Sequence, residues 1–159
     1  MKEAIEQRLQ GLIGRTLWGA RRAADMEMFQ IGTSPEQSTA ADPNAYVDGD
    51  YTLHVQCGWR IRGPAGIIVA RRDLYYPAGD PTERLDEFDS TKKGAKSRRD
   101  ERLAALLVEH AAALPIVEAV CADDVGSMRI TLSQGLFLEV FPDDSLPDGS
   151  GADRTSVRI

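Results

Sequence analysis

The clearest β-strand pattern in the sequence lies in twelve residues, Tyr51-Thr52-Leu53-His54-Val55-Gln56-Cys57-Gly58-Trp59-Arg60-Ile61-Arg62. Apolar side chains alternate here with polar or small ones. Because successive side chains of a β-strand point to opposite faces, this period of two predicts one long strand with an apolar and a polar face. A turn rich in Gly and Pro follows at 63–66, and 67–72 is apolar again, so 51–72 is predicted to be a β-hairpin.

Further strands are predicted on both sides of this hairpin. Residues 15–23 and 26–31 are a pair of short strands, and the polar, aperiodic residues 32–50 are a loop. Towards the C-terminus the strands are predicted at 116–122, 127–133 and 136–141, with a short edge strand at 155–159. The short turns between consecutive strands favour antiparallel pairing.

Two helices complete the prediction. Apolar residues spaced i, i+4, i+7 and i+8 predict an N-terminal helix over 2–13. A longer helix, about 98–114, begins at Ser97, where Asp100 completes a capping box, and ends before Pro115. It carries an apolar stripe of Leu103, Leu106, Leu107, His110, Ala111 and Leu114.

The elements together predict an α+β fold. Mainly antiparallel strands from both ends of the chain form one sheet or two apposed sheets, with the 98–114 helix packed on one face. An open barrel of the same strands is the alternative. The length of 159 residues suits a single domain over 1–159.

The two ends of the chain are similar to each other, over about 15–62 and 116–159. This pattern has two explanations: a duplicated β unit, or two meanders that are alike because all meanders are. The matching segments, in order, are Leu17–Ala24 with Val117–Asp124, Met26–Ile31 with Met128–Ser133, Tyr51–Val55 with Leu136–Val140, and Trp59–Ile61 with Val157–Ile159.

Four segments carry a resemblance to a known family: 19–26, 29–32, 53–61 and 73–75. They resemble an uncharacterised family of small actinobacterial proteins whose third segment reads as an aliphatic residue followed by His-Val-Gln-Cys-Pro-Trp-Arg. Gly58 stands here in place of that Pro, and Val157-Arg158 stands where the family often ends in Trp-Arg. The resemblance implies no activity, because the family has no assigned function.

Composition excludes several classes of protein. The net charge of −6, from 19 basic and 25 acidic residues, argues against a nucleic-acid partner. No apolar run approaches the roughly 18 residues that would span a bilayer, and no secretory signal is visible, so no membrane association and a cytoplasmic location are predicted. The basic segment at 92–102 is interpreted as a solvated loop and helix start, with an anion patch as the alternative.

No cofactor or metal is predicted. The sequence has neither a phosphate-binding glycine loop nor a nucleophile elbow. His54 and Cys57 are three residues apart on a strand and so point to opposite faces, which prevents them from sharing a metal ion.

The polar face of the 51–62 strand, lined by His54, Gln56 and Arg60, is the predicted binding surface. Asp73 and Tyr75 are expected near the far end of its partner strand, so the predicted binding residues are His54, Arg60, Asp73 and Tyr75. This surface is available for binding if the face is open. If a helix covers the face, Arg60 is expected to pair with an acidic residue and to have a structural role. Phe137 and Phe141 also need a cover, since they lie opposite the apolar face of their strand.

These features predict a non-catalytic binding or regulatory module, with another protein or a second copy of the chain as its partner. The chain's size, acidity and strand pattern are also similar to those of immunity-type proteins of bacterial toxin systems. The alternative is a small enzyme that uses carboxylates, Arg and Tyr without a metal or nucleotide motif.

Overall fold

The computed structural model describes residues 2–33, 51–79 and 88–142, and the backbone of 157–158. Most of the predicted 32–50 loop and the rest of the 155–159 strand lie outside these residues. The helices are α1 (Lys2–Leu9) and α2 (Arg98–Glu109). The strands are β1 (Thr16–Ala23), β2 (Met26–Gly32), β3 (Tyr51–Val55), β4 (Gly58–Gly63), β5 (Gly66–Ala70), β6 (Val117–Ala122), β7 (Met128–Leu132), β8 (Leu136–Phe141) and β9 (Val157–Arg158).

The strands form two antiparallel sheets, which confirms the predicted α+β class. The first sheet has the order β1-β2-β3, with the short β9 beside β3, and the second has the order β5-β4-β8-β7-β6. All the strand pairs are antiparallel.

The long strand predicted over 51–62 is divided between the two sheets. It breaks at Gln56 and Cys57, so that β3 belongs to the first sheet and β4 to the second. The sheets meet again at a second corner, where the Leu17 N–H donates to the Pro115 carbonyl at 2.8 Å and the Val117 N–H donates to the Arg15 carbonyl at 2.8 Å. The two sheets are therefore apposed and linked along two corners.

One apolar core fills the space between the sheets. Phe29 of β2 and Trp59 of β4 meet edge to face, with ring centroids 5.1 Å apart. Leu9 of α1 and Leu103 and Leu106 of α2 are buried in the same core. The apolar stripe of α2 is narrower than predicted, because Leu107, His110 and Leu114 are only partly buried and Ala111 is exposed.

Helix α2 begins where the sequence predicts and ends earlier. The Asp100 N–H donates to the Ser97 hydroxyl at 3.2 Å, and the Ser97 N–H donates to the Asp100 carboxylate at 2.9 Å, which is the expected capping box. The prediction of a helix reaching 114 is wrong, since α2 ends at Glu109. Gln134 binds the turn beyond it, donating to the Ala113 carbonyl at 2.6 Å.

The N-terminal helix is also shorter than predicted. A 3-10 turn over Gln10–Leu12 replaces its last turn. The chain then reverses at Gly14, whose φ of +81° is a left-handed conformation that favours glycine.

The two similar halves use the same strand registers. Leu17 pairs with Ile31 in the first hairpin as Val117 pairs with Leu132 in the second. Each hairpin has an irregularity at the next position, between Leu17 and Gly19 and between Val117 and Ala119.

The alignment of Met26 with Met128 is wrong by one residue. When the hairpins are aligned on the pairs Leu17–Ile31 and Val117–Leu132, Met128 corresponds to Glu27. The offset arises because the turn of the second hairpin is one residue longer. A slip of one residue exchanges the two faces of a strand, so this difference decides which side chains correspond.

The last strand of each half pairs with the other half. Trp59 of β4 pairs with Val140 of β8, and Val157 of β9 pairs in the same register with Val55 of β3. The duplication itself stays a prediction, and the pairing pattern is the geometry that a duplicated unit would give.

Candidate binding surface

The outer side of the five-stranded sheet carries a cluster of arginines and phenylalanines. The alternation of the strands turns these side chains away from the core, whereas Ile61, Leu138 and Val140 are buried beneath them. We call this cluster the arginine–aromatic face. It consists of Arg60 and Arg62 of β4, Arg129 of β7, and Phe137, Glu139 and Phe141 of β8.

The strand registers arrange these residues in rows across the sheet. Arg129, Glu139 and Arg60 are directly opposite one another in one row. Phe137 and Arg62 are opposite one another in the next row. Directly opposed side chains lie about 5 Å apart at their Cβ atoms, so each row is in contact across the strands.

Glu139 lies at the centre of the face and binds all three arginines. Its carboxylate accepts hydrogen bonds from the Nε atoms of Arg60 at 2.6 Å, Arg62 at 3.2 Å and Arg129 at 3.0 Å. The Glu139 side chain is 8% exposed, whereas the arginine side chains are 40%, 33% and 49% exposed in the same order. A nearly buried carboxylate therefore fixes three guanidinium groups that remain accessible to solvent.

The guanidinium groups lie over part of the surface of the phenylalanine rings. The Cζ atom of Arg62 lies 4.1 Å from the centroid of Phe137, and that of Arg60 lies 5.6 Å from the centroid of Phe141. The sequence predicts that a helix or a partner covers these rings. In the structure, arginines of the same sheet cover part of each ring through cation–π contacts. Phe137 is half-buried, and Phe141 is still 37% exposed.

Gly58 makes room for the Phe141 ring. A Cβ atom on Gly58 would clash with Cε2 and Cδ2 of that ring. The absence of a side chain at this position thus makes room for the ring.

The face is positively charged. Three arginines and one glutamate give it a formal charge of +2, whereas the whole chain carries −6. Burial alone would raise the pKa of the Glu139 carboxyl, but the hydrogen bonds and charges of Arg60 and Arg62 hold that pKa below its usual value. Among the described residues, Nη atoms of Arg60 and Arg62 have no hydrogen-bond partner.

An apolar side chain extends the face at its edge. Ile67 of β5 is opposite Arg62 and is 55% exposed. On the same strand, the Ile68 carbonyl accepts a hydrogen bond from Arg102 at 3.2 Å, so this one carbonyl is already paired at the edge of the sheet.

The structure does not bring the four predicted site residues together. Arg60 belongs to the arginine–aromatic face and pairs with an acid, Glu139. His54 lies on the outer side of the other sheet, opposite Met28. Asp73 is buried in a 3-10 turn, where its carboxylate accepts from the Ala70 N–H at 2.9 Å, and Tyr75 is 51% exposed. Their role in binding stays a prediction.

The sequence predicts Arg60 as a binding residue and shows that Phe137 and Phe141 need a cover, but it does not single out Arg62, Arg129 or Glu139. The alternation of Phe137, Glu139 and Phe141 was the available signal, since it places a charge between two aromatic residues on one face. The pairing of β4 with β8 brings together Arg60 and Glu139, which are 79 residues apart, so no local sequence pattern predicts it.

The basic segment at 92–102 divides into exposed lysines, Lys92, Lys93 and Lys96, and arginines that make contacts within the molecule. Arg99 forms a buried ion pair with Glu27 of β2, with its Nε 2.9 Å from Oε2 and a second hydrogen bond to Oε1. Arg98 and Arg102 lie 3.6 Å and 3.8 Å from the Asp73 carboxylate. The arginines of α2 thus attach the helix to its neighbours.

Other kinds of site find no support in the described part of the chain. It contains no group of three or more His, Cys, Asp or Glu residues that could hold a metal ion. Cys57 is buried and Cys121 is exposed. No helix among the described residues is long and apolar enough to cross a membrane.

Comparison with family models, curated proteins and solved structures gave no match. The resemblance to the actinobacterial family therefore stays a prediction.

Proposed function

We propose that this chain is a non-catalytic binding module and that the arginine–aromatic face is its contact surface for another protein. The observation that carries the proposal is the set of three solvent-accessible arginines held by one nearly buried carboxylate, Glu139. Arginine and aromatic residues are enriched in protein interfaces and dominate their binding energy.

The first sheet supports this proposal as an internal comparison. It has the same registers, yet its positions equivalent to Arg129, Phe137, Glu139 and Phe141 are Met28, Thr52, His54 and Gln56. The framework therefore forms with no arginine–phenylalanine cluster at those positions. A cluster that the framework does not require is better explained by binding than by folding.

The restricted motion of the arginine side chains also favours a role in binding. Long side chains lose conformational entropy when a partner immobilises them. Here the hydrogen bonds to Glu139 and the stacking on Phe137 and Phe141 already restrict the guanidinium groups. Much of that entropy is lost during folding, which leaves less to lose on association.

A partner of different sequence is favoured over a second copy of the chain at this surface. Two copies meeting through this face would bring a charge of +2 against another of +2, and like charges brought together at an interface oppose association. We also propose that the protein acts in the cytoplasm, a reducing compartment in which its two cysteines would remain thiols.

Photo-crosslinking in cells that encode the protein tests the proposal. Phe141 is replaced by p-benzoylphenylalanine, which keeps an aromatic ring in the exposed part of the face. The matched control is Val108, an apolar residue of α2 that is 76% exposed outside the face. We expect a protein crosslink from position 141 and none from position 108. No crosslink from position 141 would exclude the face as a contact surface.

A further inference from the structure

The arginine–aromatic face also indicates the chemistry of its partner. Resting on the proposed function above, we propose that the partner segment is an extended stretch of protein with two acidic residues at positions i and i+2. The side chains of these two residues would bind Arg60 and Arg62.

Glu139 shows how this face binds a carboxylate. Its Oε2 atom accepts a hydrogen bond from the Arg60 Nε at 2.6 Å, and its Oε1 atom accepts one from the Arg62 Nε at 3.2 Å. Guanidinium groups bind carboxylates through planar pairs of N–H groups, and each has five N–H donors. Since Nη atoms of both arginines have no described hydrogen-bond partner, each of them can bind one more carboxylate.

The charge of the face matches two acidic residues. Glu139 neutralises one of the three arginines, and the remaining formal charge is +2. Two carboxylates from a partner would neutralise the face, whereas a basic or neutral segment would leave the arginines uncompensated as water is excluded.

The spacing of the arginines sets the spacing of the acids. Arg60 and Arg62 are two residues apart on β4, which places them about 6.6 Å apart along the strand. An extended segment places its own residues i and i+2 at the same interval and on the same side. An apolar residue beside this pair would then contact the exposed ring of Phe141 or the exposed side chain of Ile67.

A short acidic segment fits the molecule better than a nucleic acid does. A nucleic acid is a long polyanion, and the remaining charge of the chain, whose total is −6, would repel the parts that extend beyond the face. An acidic segment of a few residues interacts mainly with the local positive charge.

The crosslink from position 141 provides the test. Mass spectrometry of the crosslinked peptide identifies the partner segment, and a synthetic peptide of that segment is titrated into the wild-type protein. We expect two acidic residues two positions apart in the segment. Changing both to Gln should weaken binding roughly tenfold or more.

Variants of the protein complete the test. Arg62→Gln should weaken binding of the peptide to a similar degree. Arg21→Gln should leave it unchanged, because Arg21 is an exposed arginine of β1 in the other sheet. Thermal unfolding of both variants verifies that they are folded.

The outcomes separate this inference from the proposed function. A crosslinked segment without the acidic pair, or binding that survives the Gln changes, overturns the inference and leaves the contact surface in place. A crosslink to a second copy of the chain also overturns it. A crosslink to nucleic acid, or none at all, overturns both.

Discussion

Glu139 links the stability of the arginine–aromatic face to pH. Its pKa in the folded protein lies below the usual value of 4.5, so the folded state binds this proton less tightly than the unfolded chain does. The stability that Glu139 contributes is therefore fully present above pH 4.5 and is lost as the pH falls through the folded pKa.

The variant Glu139→Gln tests this dependence. Urea unfolding from about pH 7 to about pH 3 should show a difference in unfolding free energy between wild type and variant that is largest at neutral pH and shrinks in acid. A difference that stays constant with pH would contradict the assignment.

Glu27 has the opposite effect on stability and does not disturb this comparison. Burial raises its pKa, although the hydrogen bond and charge of Arg99 oppose the change. Its contribution therefore decreases as the pH rises from 4.5 through the folded pKa. Because both proteins retain Glu27, its contribution cancels in the difference between them.

Gly58 gives a second prediction for a single residue. Gly58→Ala would place a Cβ atom where the Phe141 ring now lies, so the ring must turn away from the sheet and from Arg60. We expect crosslinking or peptide binding at the face to weaken, while Trp59 and the rest of the core stay in place. NMR chemical shifts of Phe141 and of the core methyl groups would measure the two effects separately. A Phe141 ring with unchanged shifts would contradict the prediction.

Helix α2 shows which parts of an element the sequence can predict. Its start depends on Ser97 and Asp100, which are three residues apart, so the local sequence contains the whole interaction. At its end the His110 side chain contacts Gln134, 24 residues further along the chain, at 2.6 Å. No periodicity in the helix sequence reports that contact.

The same helix provides a matched pair of variants. Leu106 is 3% exposed and Val108 is 76% exposed. Leu106→Ala should lower the free energy of unfolding by about 2–5 kcal/mol, because it leaves a cavity in the core. Val108→Ala should change it by less than about 0.5 kcal/mol. Equal effects in urea unfolding would show that α2 does not pack on the core through Leu106.

For the whole molecule, the sequence predicts the strands better than their partners. The alternation over 51–62 identifies both faces of β3 and β4, but it does not show that the strand crosses from one sheet to the other. The match of Met26 with Met128 fails because a turn longer by one residue leaves no trace in the apolar pattern. Pairings between distant strands depend on the core as a whole.

The crossed pairing predicts how the chain behaves when it is divided. Strand β4 pairs with β8, β9 pairs with β3, and α1 contacts β6, so each half completes the other. Fragments 1–79 and 88–159 should each lack a stable fold alone and should form one folded complex when they are expressed together. Circular dichroism and amide NMR spectra would measure this. A native-like spectrum from fragment 1–79 alone would contradict it.

The shared registers of the two halves also make the protein a scaffold for avidity. A second arginine–aromatic face on the first sheet would need Arg, Phe, Glu and Phe at positions 28, 52, 54 and 56, and an arginine two residues after Arg158, at the position equivalent to Arg62. Arg158 already occupies the position equivalent to Arg60. A monomer with two such faces could bind two acidic segments of one partner at the same time. Its apparent affinity would then rise through effective concentration, without any new kind of contact.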